Sequence, residues 1–173
     1  MFSRKQKYFL FKLFSLFSVV RGYNILIIII AQYLTSIYIL APQLPIKGIL
    51  FDINLFMIVV ASATAIASGY IINNFYDSEK DLINRPNKSI LDRLVGRRTK
   101  LNFYFILNFL SLVSALFVSY KAALFFFLFI FGIWLYSHKL KKYPFIGNLV
   151  AAILAVVPLF AVLVVLVARI VSI

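Results

Sequence analysis

The sequence predicts an all-α, polytopic bundle of about five transmembrane helices, resting on composition, run length and charge placement. Hydrophobic residues make up 64% of the 173-residue chain and its mean hydropathy is +1.00, well above the apolar share of a soluble domain. Apolar runs of roughly twenty residues recur, each long enough to cross a bilayer as a helix. The runs are continuously apolar rather than alternating, which excludes a barrel. Helices are then the remaining way to satisfy the backbone in lipid.

The elements follow in order. Tyr8 to Val20 is apolar and aromatic with Lys12 inside it, and reads as an interfacial helix lying along the membrane. The first span runs from about Asn24 to Ala41, where Pro42 and Pro45 end it. The second runs from about Leu50 to Ile72. The third, Leu101 to Tyr120, and the fourth, Ala122 to Ser137, meet around Lys121 in a join so short that they form an antiparallel hairpin. Pro144 marks the turn before the fifth span, Ile146 to Ala168. The chain reads as one membrane domain over residues 1–173, with a basic interfacial arm over 1–21 and a cytoplasmic loop carrying an aspartate motif over 73–100.

Charge sets the orientation. Of the 18 basic residues, all but Lys47, Lys121 and Arg169 fall in the N-terminal arm and in the loops after the second and fourth spans. These are alternate loops, on one side of the membrane, so the N-terminus is placed in the cytoplasm. The same clustering explains the net charge of +13 by topology and phospholipid contact, and argues against nucleic acid as a partner. With no cysteine and only His138, neither a disulfide framework nor a multi-histidine metal site is available. No small-residue cleavage site follows the basic start before Arg21, so no cleavable signal peptide is evident.

Three of the five acids, Asp77, Glu79 and Asp81, sit together where the second span runs out into charge. Steps of four place Asn73, Asp77 and Asp81 on one helical face, one turn apart. Two like charges at that spacing repel unless a cation lies between them. The face offers oxygen ligands only, which suits magnesium sharing a substrate's phosphates. Arg85 and Lys88 follow within a turn or two, beside Pro86, which should break the helix. Carboxylates for a metal with cations just behind suit a diphosphate bridged by magnesium. The plainer alternatives are a polar helix end capped by Asn and Asp, and cations that only neutralise the acids or touch lipid headgroups.

The stretch from Gly69 to Ile90 resembles the first aspartate-rich motif of the UbiA family of intramembrane prenyltransferases. That family's pattern is Asn-Asp-x-x-Asp-x-x-x-Asp, often followed by Asn-Arg-Pro. Here it reads Asn73-Asn74-x-x-Asp77-x-x-x-Asp81, then Asn84-Arg85-Pro86. Arg21-Gly22-Tyr23-Asn24 is similar to the family's Arg-x-x-Asn, and the stretch from Leu135 to Asn148 is similar to its Tyr-Ser and Gly-Asn junction. The resemblance covers essentially the whole chain. It implies a magnesium-dependent enzyme that ionises an isoprenyl diphosphate and joins the prenyl group to an acceptor within the bilayer. It implies that Asn73, Asp77 and Asp81 contact the magnesium-diphosphate, that Arg85 binds diphosphate, and that Arg21 and Asn24 line the pocket. Tyr136 and Ser137 match pocket positions near diphosphate and prenyl chain. An aromatic face can steady an allylic cation, although Tyr136 reads equally as an interfacial anchor.

The flavour is that of bacterial geranylgeranylglycerol-phosphate geranylgeranyltransferase-like members, which implies a bacterial inner membrane. Aromatic quinone precursors and haem or chlorophyll-type acceptors stay open. Two departures stand out. The family's first Asp is Asn74 here, rotated about 100° from the Asn73-Asp77-Asp81 face, so weakened metal binding is expected. No carboxylate follows Asp92, and the family's second aspartate-rich motif is absent. The expectation is an incomplete prenyltransferase domain, from a truncated or frameshifted gene and inactive alone. The alternative is a non-catalytic protein that binds polyprenyl lipid or pairs with a separately encoded second half. A CDP-alcohol phosphotransferase would need an Asp-Gly pair, which the chain lacks. A channel would want stronger mid-bilayer polarity than Gln32, Ser62, Thr64 and Ser68 provide. Small residues from Ala61 to Gly69 read as a close-packing face.

Overall fold

A computed structural model describes residues 4–84 and 95–171. Among the described residues the chain is helical throughout, without a strand, and five helices are long and apolar enough to span a bilayer. The elements are α1 (Arg4–Val19), α2 (Gly22–Thr35) continued by a π-helical stretch (Ser36–Leu40), short α3 (Ile46–Leu50), α4 (Ile53–Asn84), α5 (Arg97–Val118), α6 (Tyr120–His138), a 3-10 turn (Leu140–Lys142) and α7 (Pro144–Val171).

α4 is the hub, packed against α2, α5, α6 and α7. Its spanning part is 67% buried, while the other spans are between 17% and 28% buried. Small side chains make this possible: Ala61 and Ala65 are fully buried and let neighbouring backbones close in. Ser111 on α5 donates to the Ala61 carbonyl at 2.8 Å, and Ser68 is hydrogen-bonded to Asn108. Gly69 faces Ile133 so closely that a Cβ there would lie 2.8 Å from its Cγ2. The outer faces of α2, α5 and α6 show Leu, Ile and Phe, as a lipid-facing surface requires.

Caps fix the ends. Asp52 Oδ1 accepts from the N–H groups of Asn54 and Leu55 at 2.8 and 3.0 Å and starts α4. The α5–α6 hairpin turns at Ser119, two residues before the predicted turn near Lys121. Ser119 is extended, and its hydroxyl accepts from Ala122 N–H at 3.1 Å as the N-cap of α6. Lys121 therefore lies inside the first turn of α6.

Midway through the bundle, fully buried Gln32 joins three helices. Its amide donates to Ser62 Oγ at 2.8 Å and to the Pro158 carbonyl at 2.7 Å. Pro158 interrupts the hydrogen-bond ladder of α7. At 32 residues, α4 is about 48 Å long, longer than the roughly 30 Å hydrocarbon core. The stretch read as a motif loop over 73–100 thus begins as the last three turns of a continuous helix, carried past the apolar region.

Candidate functional site

The polar end of α4 is gripped by lysines from two other elements. Asn73 and Asp77, one turn apart, converge on a single cation. Lys141 Nζ donates to Asp77 Oδ1 at 2.6 Å and to Asn73 Oδ1 at 3.1 Å. These are charge-assisted bonds, short and stronger than neutral ones. Lys141 comes from the 3-10 turn between α6 and α7. On the neighbouring face of α4, Asn74 Oδ1 accepts from Lys100 Nζ at 2.6 Å. Lys100 sits in the first turn of α5 and is only 4% exposed. The step from Asn73 to Asn74 therefore separates two ammonium contacts.

Below this end lies a cavity of about 300 Å³ between α2, α4, α6 and α7. Arg21, Tyr70 and Asn73 provide polar lining; Ile66, Phe129, Ile133 and Leu154 provide an apolar one. Arg21 occupies the break between α1 and α2 with φ 49° and ψ 51°, a left-handed conformation that costs a non-glycine residue about 1–2 kcal/mol. That backbone sets its guanidinium 5.2 Å from the Tyr70 ring centroid, within cation–π range. Asn24 does not itself line the cavity. Its amide donates to the Tyr70 hydroxyl at 3.2 Å and so holds a lining side chain in place.

Tyr136 and Ser137 both line the cavity from the end of α6. Ser137 is 1% exposed, and its hydroxyl has no hydrogen-bond partner among the described residues. A buried polar atom left so is costly, and such an atom at a cavity wall is available to a ligand. Next to Asp77, the Tyr76 ring meets His138 at 5.3 Å. Trp134, one turn earlier on α6, stacks on His138 at 5.4 Å. This aromatic row ties α6 to the motif.

The structure thus brings Arg21, Asn24, Asn73, Asp77, Tyr136 and Ser137 to one end of the bundle. Asp81 is on α4 one turn beyond Asp77, with its side chain outside the described residues, as are Arg85 and Lys88 entirely. Sequence reasoning missed Lys141, Lys100 and Tyr70. The two lysines read only as topology charges, and their partners lie 64 and 26 residues away.

A comparison with protein families matches residues 29–172 to the UbiA prenyltransferase family. The chain belongs to this family. Its curated relatives include digeranylgeranylglyceryl phosphate synthases. That of Thermococcus gammatolerans is 38% identical over 107 residues, covering 61% of this chain and 39% of the relative. That of Pyrococcus horikoshii is 35% identical over 109 residues, covering 62% and 38%. That of Sulfurisphaera tokodaii is 28% identical over 147 residues, covering 83% and 50%. The match thus spans half or less of the length of these relatives. A solved structure from work on digeranylgeranylglyceryl phosphate synthase in membranes shares the fold, with a TM-score of 0.76 at 23% identity, over 89% of this chain and 53% of that one. Five apolar helices and UbiA membership make this a multi-pass membrane protein. Its named relatives are archaeal, and lend no support to a bacterial inner membrane.

UbiA membership raises the question of whether these residues suit a divalent cation. No group of three His, Cys, Asp or Glu side chains is present among the described residues. The donor chemistry nevertheless fits: two oxygens a turn apart already share one cation, the Lys141 ammonium. Such a partial oxygen set suits magnesium, which keeps waters and takes phosphate oxygens as further ligands.

Proposed function

We propose that this chain forms the diphosphate-binding part of a UbiA-type membrane prenyltransferase that acts on an isoprenyl diphosphate and a lipid acceptor of the geranylgeranylglycerol phosphate type. One observation carries the reading. The Asn73–Asp77 oxygen pair and its lysine stand at the polar edge of an apolar cavity inside a membrane bundle. An isoprenyl diphosphate has that shape, with a charged head and a hydrocarbon tail. The acceptor class follows the names of the relatives. An aromatic acceptor has no comparable support.

In this reading Asn73, Asp77 and Asp81 hold the magnesium-bound head. Magnesium would supply charge that stabilises the departing diphosphate. Arg21 and Lys141 bring fixed positive charge to the same end of the cavity; Arg85 and Lys88, outside the described residues, are assigned to the diphosphate from the sequence motif alone. Lys141 is a point charge, seated where a phosphate oxygen bound beside Asp77 would meet it. Ser137 offers a buried hydroxyl to the substrate. Tyr136 and Tyr70 present aromatic rings beside the carbon that loses its bond to diphosphate, and a ring face steadies developing positive charge. That carbon then bonds to the acceptor's hydroxyl oxygen, whose proton passes to the released diphosphate.

The test is equilibrium binding of radiolabelled geranylgeranyl diphosphate to the chain in nanodiscs, with and without magnesium. Saturable, magnesium-dependent binding that inorganic diphosphate competes away is expected. Labelling that rises only with lipid content would overturn the proposal. A second reading, binding of polyprenyl lipid without turnover, alone or paired with a second half, draws on Lys141 already neutralising Asp77. It predicts equal affinity for prenyl alcohol and prenyl diphosphate.

A further inference from the structure

Lys141 reaches α4 from a tight turn into α7. α6 ends at His138, one 3-10 turn covers Leu140–Lys142, and α7 begins at Pro144. Gly147, in the first turn of α7, is buried, and its N–H donates to the Tyr143 carbonyl at 2.7 Å. A Cβ on Gly147 would lie 3.0 Å from the Leu140 carbonyl oxygen and 3.1 Å from Lys141 Cα. Both are backbone atoms, which cannot swing aside as a side chain does. The turn bearing Lys141 therefore rests directly on the backbone of α7. The other glycines differ. A Cβ on Gly48 would meet nothing nearer than Pro45 Cγ at 3.5 Å, and at Gly69 and Gly132 the neighbours are side-chain atoms.

We propose that Gly147 is a positioning residue for the diphosphate site: its missing side chain seats the Leu140–Lys141 backbone so that the Lys141 ammonium reaches the Asn73–Asp77 oxygen pair. The functional consequence rests on the prenyltransferase reading; the geometry does not. Lys141 is 16% exposed, so most of its stem is held by neighbours and has limited freedom to make up a shifted backbone. A methyl group at position 147 asks the turn to give by a few tenths of an ångström, and a branched side chain asks for more. The loss should therefore be graded.

The experiment is zero-length carbodiimide crosslinking of the full chain in nanodiscs, reading the peptide that joins Asp77 to Lys141 by mass spectrometry. The wild type should give this crosslink. Gly147→Ala should reduce it severalfold and Gly147→Val abolish it, with helicity and melting temperature held near wild type. Gly48→Ala should leave it unchanged. Affinity for inorganic diphosphate with magnesium, followed by 31P NMR, should fall about tenfold in Gly147→Val, the worth of one charge-assisted hydrogen bond. A Gly147→Val chain that crosslinks like wild type overturns the proposal, as does a wild type without the crosslink. Loss of the crosslink together with loss of the folded state also overturns it, because Gly147 would then be a folding residue. A wild type that crosslinks as expected but never binds diphosphate keeps the positioning of Lys141 and removes the prenyltransferase reading.

Discussion

Lys141 Nζ lies 2.6 Å from Asp77 Oδ1 and 3.1 Å from Asn73 Oδ1, closing a contact across 64 residues of sequence. The lysine occupies the place where two α4 oxygens meet. It gives the Asp77 carboxylate and the Asn73 amide oxygen one shared, tethered cation.

Removing the acid should separate this role from general charge. Asp77→Ala takes away one of the converging oxygens and is expected to lower magnesium-dependent diphosphate affinity by tenfold or more, about 1.4 kcal/mol. Glu79→Ala, roughly 200° away around the helix, should leave it within twofold. Calorimetric titration of both variants checks this; equal losses would reduce the motif to a general electrostatic field.

Lys141→Met should weaken diphosphate binding while keeping the fold. Lys141→Arg should recover part of the affinity, because guanidinium also pairs with phosphate, although its planar fork suits the Asn73–Asp77 pair less well than a point charge. The same titration reports both variants, and a Met variant with wild-type affinity would leave Lys141 a structural tether.

The mid-bilayer node makes a stability prediction. Gln32→Leu strips partners from Ser62 Oγ and the Pro158 carbonyl. Interhelical hydrogen bonds in membranes are worth about 0.6–1.7 kcal/mol, so a cost of about 1–2 kcal/mol is expected. Thermal unfolding in detergent measures it, with diphosphate affinity unchanged in the surviving folded fraction.

Gly69→Ala should destabilise the α4–α6 contact by about 1–3 kcal/mol through overpacking, since its Cβ would lie 2.8 Å from Ile133 Cγ2. Ile133→Ala in the same chain removes the obstructing atom and should restore much of the melting temperature. Both positions line the cavity, so ligand affinity is expected to change as well.

Much of the fold was legible because apolar run length is a direct physical signal in a membrane protein. The five spans follow from it, and the close-packing stretch from Ala61 to Gly69 follows from its small residues. The convergence of Asn73 and Asp77 on one cation also agrees with the four-residue spacing of α4. Other features depend on tertiary placement. The turn at Ser119 was hidden because a hydroxyl cap leaves a weaker mark than Lys121. Lys100 and Lys141 could not be assigned, because no spacing rule connects residues brought together by different helices. Asn24 was expected to line the pocket, yet it holds Tyr70, a role visible only once α2 and α4 are packed together.

The most direct test of the central claim is photo-crosslinking with a geranylgeranyl diphosphate analogue carrying a diazirine near its tail, applied to the chain in nanodiscs with magnesium. The account predicts label on Phe129, Ile133 or Leu154 inside the cavity, lost in the presence of excess inorganic diphosphate and in Asp77→Ala. Label confined to lipid-facing residues such as Phe105 and Phe109, unaffected by diphosphate, would contradict it.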